Sequence, residues 1–172
     1  MRATPPPTDD GEPVEPDDPE SVARIICLRA LTAKSRSRDE LATLLRKRGV
    51  PDQAATTVLD RFVEVGLIDD QALAVDFAQL AHGARGLSRS AVATKLRQRG
   101  VADDVIATAV AGIDSDSERA MALDLARRRA ATMRGLDPQA QARRLVGLLA
   151  RRGYSPAMSY AVTREVLGDA RS

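Results

Sequence analysis

Side chains that could carry out catalysis are few and scattered in this sequence. The single histidine, His82, has no cysteine or second histidine near it, and the single cysteine, Cys27, lies in an apolar stretch. A metal centre or a nucleophilic site needs several such groups held together. No glycine-rich loop of the phosphate-binding type is present either. We therefore predict that the protein is not an enzyme and uses no metal or other cofactor.

Two adjacent carboxylates, Asp69 and Asp70, are the remaining candidates for metal-dependent chemistry, as in a nuclease. A helical pattern of apolar residues begins directly after them. An aspartate at the start of a helix accepts hydrogen bonds from the free backbone amides of the first turn. We therefore interpret this pair as the cap of the following helix.

Basic side chains offer a different chemistry, which is the binding of phosphates or of an acidic protein surface. They are concentrated in a short motif that occurs three times, as LRKRGV, LRQRGV and LARRGY. The glycines of these copies are Gly49, Gly100 and Gly153, which are 51 and 53 residues apart. This regular spacing indicates three copies of one structural unit.

The basic motif divides into two groups of residues. At about 100° per residue, the arginine before each glycine flanks the apolar stripe of its helix and complements the helix C terminus. We interpret these arginines and glycines as structural: Arg48, Gly49, Arg99, Gly100, Arg152 and Gly153. The predicted contacts to a partner are other basic residues nearby: Arg46, Lys47, Arg89, Lys95, Arg97 and Arg151. The alternative for this second group is a solvated surface without a partner.

Apolar residues at helical spacing predict the elements that position these charges. The first unit has three such stripes, over Val22, Ile25 and Ile26, over Leu41, Leu44 and Leu45, and over Ala55, Val58, Leu59, Phe62 and Val63. Ser37 and Glu40 form a capping box for the second helix. The next unit repeats the pattern from Leu73, Phe77, Leu80 and Ala81 onward. In the last helix, Ser159 and Thr163 weaken the apolar stripe.

The predicted fold is all-α, because only 2% of the residues are aromatic and the apolar patterns are helical. We expect three tandem three-helix repeats, 19–67, 68–113 and 114–168, in an elongated curved array. Residues 1–18 are rich in proline and acidic residues and poor in bulky apolar ones, which is typical of a disordered arm. The single cysteine and the lack of a signal segment predict a cytoplasmic protein.

Four parts of the sequence resemble the RecX family of recombinase regulators over residues 20–168. They are the segment from Ser37 to Val50, the Gly66-Leu67-Ile68-Asp69-Asp70 junction with Phe77, the segment from Gly86 to Val101, and the segment from Leu148 to Tyr154. The resemblance implies a helical array that binds the RecA recombinase filament and inhibits its recombinase and ATPase activities. It also implies a role in recombinational DNA repair and the SOS response.

Other binding functions are alternatives to this interpretation. Residues 21–172 carry 25 basic and 17 acidic side chains, which favours a polyanionic or acidic partner. With so few aromatic side chains to stack on bases, any contact with single-stranded DNA would be made through its phosphates. A helix-turn-helix protein that binds duplex DNA is the main alternative. A scaffold for an unrelated acidic protein is another.

Overall fold

The computed structural model describes residues 18–169, within which the chain forms nine α-helices and no strand. The helices are α1 (Pro19–Ala33), α2 (Arg38–Lys47), α3 (Asp52–Glu64), α4 (Asp70–Gln79), α5 (Arg89–Gln98), α6 (Asp103–Val110), α7 (Ser115–Ala131), α8 (Pro138–Arg151) and α9 (Pro156–Asp169). The predicted all-α class is confirmed. Except for Asp18, the predicted disordered arm lies outside the described residues.

Three separate hydrophobic cores divide the helices into three units. Helices α1 to α3 enclose the first core, α4 to α6 the second and α7 to α9 the third. The helix pairs that pack extensively on each other all belong to a single unit. This packing confirms the predicted tandem repeat of three-helix units. The exact boundaries stay a prediction, although Ile68 packs in the first core.

Capping side chains in the local sequence set the residues at which the helices begin. Ser37 and Glu40 form the predicted capping box, in which the Ser37 hydroxyl accepts from the Glu40 amide and Glu40 accepts from the Ser37 amide. Asp69 caps α4, because its carboxylate accepts a hydrogen bond of 2.8 Å from the Ala72 amide. Capping groups of this kind satisfy backbone amides that have no partner within the helix.

The apolar stripe predicted for α1 is wrong in part. Val22 and Ile25 are exposed, and the helix instead buries Ala23, Cys27 and Ala30. These side chains are small, so α1 packs against α2 and α3 with short residues rather than with its bulky ones. Bulk is therefore a poor guide to which side of this helix faces the core.

Two further predicted core residues, Leu80 and Val63, are also exposed. Leu80 begins a π-helical segment, Leu80–Ala84, directly after α4. The wider turn of a π-helix shifts the following side chains around the helix axis. Ala81 therefore occupies the core while Leu80 faces outward. Val63 lies in the last turn of α3, beyond the buried Phe62.

Candidate partner-binding surface

Each copy of the basic motif ends the second helix of its unit with the same backbone arrangement. In the first unit the Gly49 amide bonds to the Arg46 carbonyl and the Val50 amide to the Leu45 carbonyl. The same bonds occur around Gly100 and Gly153, and all three glycines have φ between 74° and 86°. Glycine is favoured there because a Cβ atom is strained at positive φ.

The second copy of the motif also forms a joint with the first unit. The Ser37 hydroxyl, at the start of α2, donates a hydrogen bond to the carbonyl oxygen of Arg99, at the end of α5. Next to this bond, a Cβ atom at Gly100 would overlap Asp39 in the first turn of α2. The N terminus of α2 therefore lies directly on the C terminus of α5.

The Arg99 side chain strengthens this joint through a forked ion pair with Glu40. Its Nε and one terminal nitrogen donate to the two Glu40 oxygens at 3.0 and 2.9 Å, and both side chains are about one-quarter exposed. The guanidinium also lies over the Phe77 ring, 5.7 Å from its centre. Burial alone would raise the pKa of Glu40, but the hydrogen bonds from Arg99 and from the Ser37 amide outweigh it and lower this pKa.

An equivalent joint connects the second and third units. The Ser88 amide, at the start of α5, donates to the Arg152 carbonyl at 2.9 Å, at the end of α8. A Cβ atom at Gly153 would lie 2.6 Å from the Ala91 Cβ atom. Ser37 and Ser88 are both twelve residues before the glycine of their own motif, so the two joints use equivalent residues.

A carboxylate from the following unit completes each joint. Asp70 accepts a 2.9 Å hydrogen bond from the Arg38 amide in the first turn of α2. Glu118 accepts a 2.8 Å bond from the Arg89 amide in the first turn of α5. Asp70 is therefore a structural residue of the first joint.

Tyr154 ties the third unit to the second from within the core. Its hydroxyl donates a 3.0 Å hydrogen bond to the Gly86 carbonyl, and the side chain is buried. Burial, together with the negative charge of Glu118, raises the pKa of Tyr154 to about 12. The tyrosine is therefore neutral and acts as a donor at physiological pH.

The two joints arrange the second helices of the three units in an end-to-end row. The C terminus of α8 meets the N terminus of α5, and the C terminus of α5 meets the N terminus of α2. Sequence reasoning missed these joints. The signal for them was the identical spacing of Ser37 and Ser88 from the glycines that follow.

The first copy of the motif lies at the free end of this row. Apart from its chain neighbours, no atom of residues 18–169 lies within 4 Å of a Cβ placed on Gly49, in contrast to Gly100 and Gly153. Arg48 is exposed and has no ion-pair partner among residues 18–169, whereas Arg99 is paired with Glu40. The residues grouped as structural by sequence thus have different surroundings in the first unit and in the second.

Four of the predicted contact residues are exposed and without an ion-pair partner in the described part of the chain. They are Arg46, Lys47, Lys95 and Arg151, and all of them lie on the second helix of a unit. Lys95 occupies the position of Leu44 in the first unit, and its side chain reaches solvent. These four cations are therefore available to an acidic partner.

The other two predicted contact residues, Arg89 and Arg97, have acidic neighbours. Both line a groove of about 510 Å³ between α5 and α6, and Asp103 and Glu118 lie in the same groove. The Arg97 Nε is 2.8 Å from Asp103. This groove carries mixed charge, so it attracts an anion less strongly than the four cations without acidic partners.

The residues that the sequence offered for catalytic or metal chemistry have other contacts in the structure. No group of three or more possible metal ligands occurs in this range. The His82 Nδ1 atom is 2.8 Å from the Leu87 carbonyl, a bond that holds the π-helical segment to the loop after it. Cys27 is fully buried, and burial raises the pKa of its thiol. In the same range, no helix is both long and apolar enough to cross a membrane.

Comparisons with protein families match each of the three units. The first three-helix domain of RecX matches residues 23–62, the second matches residues 69–110 and the third matches residues 116–163. The three matches follow the chain order of the units in the structure. Together they cover most of the part of the chain that the structure describes.

Individual relatives agree with the family match. The regulatory protein RecX of Thermobifida fusca is 46% identical over 92% of this chain and 87% of its own length. The regulatory protein RecX of Streptomyces coelicolor is 48% identical over 91% of this chain and 82% of its own length. The regulatory protein RecX of Mycolicibacterium smegmatis is 43% identical over 99% of this chain and 94% of its own length. The crystal structure of RecX from Lactobacillus salivarius has the same fold, with a TM-score of 0.75 and 16% identity over 87% of this chain and 97% of that chain.

Proposed function

Because the chain belongs to the RecX family of regulatory proteins, we propose that it binds the RecA recombinase filament and inhibits its strand exchange and ATP hydrolysis. Through this inhibition it modulates recombinational DNA repair and the SOS response. The proposed action is by binding alone, in keeping with relatives that are regulatory proteins.

The observation that carries this proposal is the row of second helices with its exposed cations. Each subunit of a filament presents the same surface, so a protein built from repeated units can make similar contacts at several subunits. Linked contacts of this kind reinforce each other, because binding of one unit raises the effective concentration of the next. The joints at Arg99 and Arg152 hold the units in fixed positions for such binding.

Charge complementarity gives the expected contact. The cations Arg46, Lys47, Lys95 and Arg151 have no acidic partner within residues 18–169, so a partner carboxylate or phosphate can pair with them without first breaking an ion pair. An exposed pair contributes about 0.2–1 kcal/mol. Several pairs spread over three units are therefore needed for tight binding.

The proposal is tested with charge reversals measured in RecA ATPase and strand-exchange assays. The variant Lys95→Glu/Arg151→Glu reverses one cation in each of the last two units, and it should weaken inhibition about tenfold or more. The control variant Arg29→Glu/Arg134→Glu reverses two other exposed arginines outside the second helices. Equal inhibition by both variants would contradict the proposed surface.

A direct contact with DNA phosphates is a separate part of the proposal and has its own measurement. If about four phosphates of single-stranded DNA are neutralised, the slope of log affinity against log salt concentration should be roughly −3. Fluorescence anisotropy with a labelled oligonucleotide gives this slope in the absence of RecA. A slope near zero would assign the cations to protein contacts alone.

A further inference from the structure

We propose that the free end of the row, formed by residues 46–50, is an open joint that receives the N terminus of an α-helix of the partner protein. The inference rests on the proposed function, since the partner is the recombinase filament. The received helix begins with a serine or threonine cap and carries an acidic residue in its first turn. This open joint adds a shape-specific contact to the charge contacts described above.

The two filled joints show what this kind of surface binds. In both, the arginine and glycine at the end of a second helix receive the N terminus of another helix that begins with a buried serine. The glycine lets that helix approach closely, since a Cβ atom at Gly100 or Gly153 would overlap its first turn. In the first joint, the arginine also pairs with a carboxylate of that turn, Glu40.

The same surface is present at the end of α2, where no helix from residues 18–169 lies on it. Arg48, Gly49 and Val50 have the backbone geometry of the other two copies, and a Cβ atom on Gly49 would meet nothing within 4 Å. Arg48 has no ion-pair partner in residues 18–169. In the filled joints the equivalent arginine of the first, Arg99, is paired with Glu40, whereas Arg152 of the second has no ion pair within residues 18–169.

The opposite end of the row, the N terminus of α8, differs from the helix starts in the filled joints, and this difference gives the array a direction. The residue twelve positions before Gly153 is Gln141, where the other units have the cap serine. Its side-chain nitrogen donates to the carbonyls of Met133 and Leu136, and α8 is capped one turn earlier, by Asp137. The third unit therefore lacks the serine cap used in the filled joints, and among residues 18–169 the free acceptor end of the row belongs to the first unit.

Charge selects the occupant of the open joint. Arg46, Lys47 and Arg48 are all exposed around the end of α2. The positive end of an incoming helix faces the carbonyls of α2, while its first-turn carboxylate meets these cations. A first-turn acid near Arg48 repeats the pairing of Glu40 with Arg99. A helix end without a first-turn acid lacks the contact with these cations.

The experiment compares Gly49→Asn with Gly66→Asn in binding to the RecA filament on single-stranded DNA. The two glycines have φ of 76° and 74°, and a Cβ on either meets nothing within 4 Å, so both variants carry the same strain in the free protein. Asparagine tolerates this backbone region, and neither change alters the charge. Circular dichroism should show equal helix content and similar melting temperatures.

We expect Gly49→Asn to lower filament affinity at least tenfold and Gly66→Asn to change it less than twofold. Wild-type affinity of Gly49→Asn would overturn the open joint, and so would an equal loss in both variants. After either of these two outcomes, a wild-type protein that binds the filament would still support the proposed function, although without the open joint. If the wild type does not bind, both proposals fail. Dimers of the wild type that Gly49→Asn dissociates would make a second copy the occupant and would overturn the assignment to the recombinase.

Discussion

A methyl group added at Gly100 measures how much the joint between the first two units contributes to stability. The Gly100→Ala change adds a Cβ atom that overlaps the Asp39 Cβ atom in the first turn of α2. That atom is attached directly to the backbone, so the overlap is relieved only when the two units move apart. Gly49→Ala is the matched control, because φ is 74° at Gly100 and 76° at Gly49 and nothing lies near the added atom at Gly49.

The expected losses of stability follow from the left-handed backbone at each glycine and from the overlap with Asp39 at Gly100. A residue other than glycine in the left-handed region costs about 1–2 kcal/mol, and both variants pay this cost. Forcing an extra carbon into a packed contact costs a further 1–3 kcal/mol or so. We therefore expect the free energy of unfolding to fall by about 1–2 kcal/mol in Gly49→Ala and by about 2–5 kcal/mol in Gly100→Ala.

Urea denaturation followed by far-ultraviolet circular dichroism gives both free energies. At roughly 2–4 °C per kcal/mol for a chain of this size, the melting temperatures should also separate clearly. Gly153→Ala, whose Cβ atom would lie 2.6 Å from the Ala91 Cβ atom, should behave like Gly100→Ala. Equal losses at Gly49, Gly100 and Gly153 would show that only the turn matters, and would refute the joints as stabilising contacts.

Four further predictions concern the joints, the third core and the third unit. Tyr154→Phe leaves the carbonyl of Gly86 without its donor and should lower the free energy of unfolding in urea by about 1 kcal/mol. A spectrophotometric titration of the wild type should show one tyrosine ionising near pH 12. Despite partial burial, the hydrogen bonds from Arg99 and from the Ser37 amide hold the pKa of Glu40 below its ordinary value. Its ion pair therefore stabilises the fold above that ordinary value and is lost as pH falls through the folded pKa, so Glu40→Gln should show a shallower loss of stability during acid titration than the wild type. Thr163 has a buried hydroxyl without a partner in residues 18–169, so Thr163→Val should raise the free energy of unfolding by about 1 kcal/mol. Deleting residues 114–172 should weaken inhibition of RecA more than tenfold while the first two units, which have their own cores, keep their helix content in circular dichroism.

Helix ends and caps were predictable from the sequence because they depend on residues close together in the chain. The capping box of Ser37 and Glu40 spans four residues, and the turn at Gly49 depends on one glycine and the apolar residues beside it. Such interactions form in the same way wherever the helix packs. For the same reason, the three-unit repeat was visible from the motif spacing alone.

The buried sides of α1 and α4 were harder to predict. Val22, Ile25 and Leu80 look like core residues by hydrophobicity, yet the core takes Cys27 and small alanines instead. A close approach of helices favours small side chains, and a π-helical segment changes the register after α4. Both effects depend on the neighbouring helices, which periodicity within one helix does not describe.

The sequence by itself determined the class of fold, the number of units and the family, because each of these follows from local pattern repeated along the chain. Only the tertiary structure decided what each copy of the basic motif does. Arg48 and Arg99 have the same position in the motif, but Arg99 meets Glu40 across 59 residues of chain while Arg48 meets solvent. The difference arises because a unit follows the first one and none precedes it in the described residues, so stacking of the units fills one joint and leaves the other open.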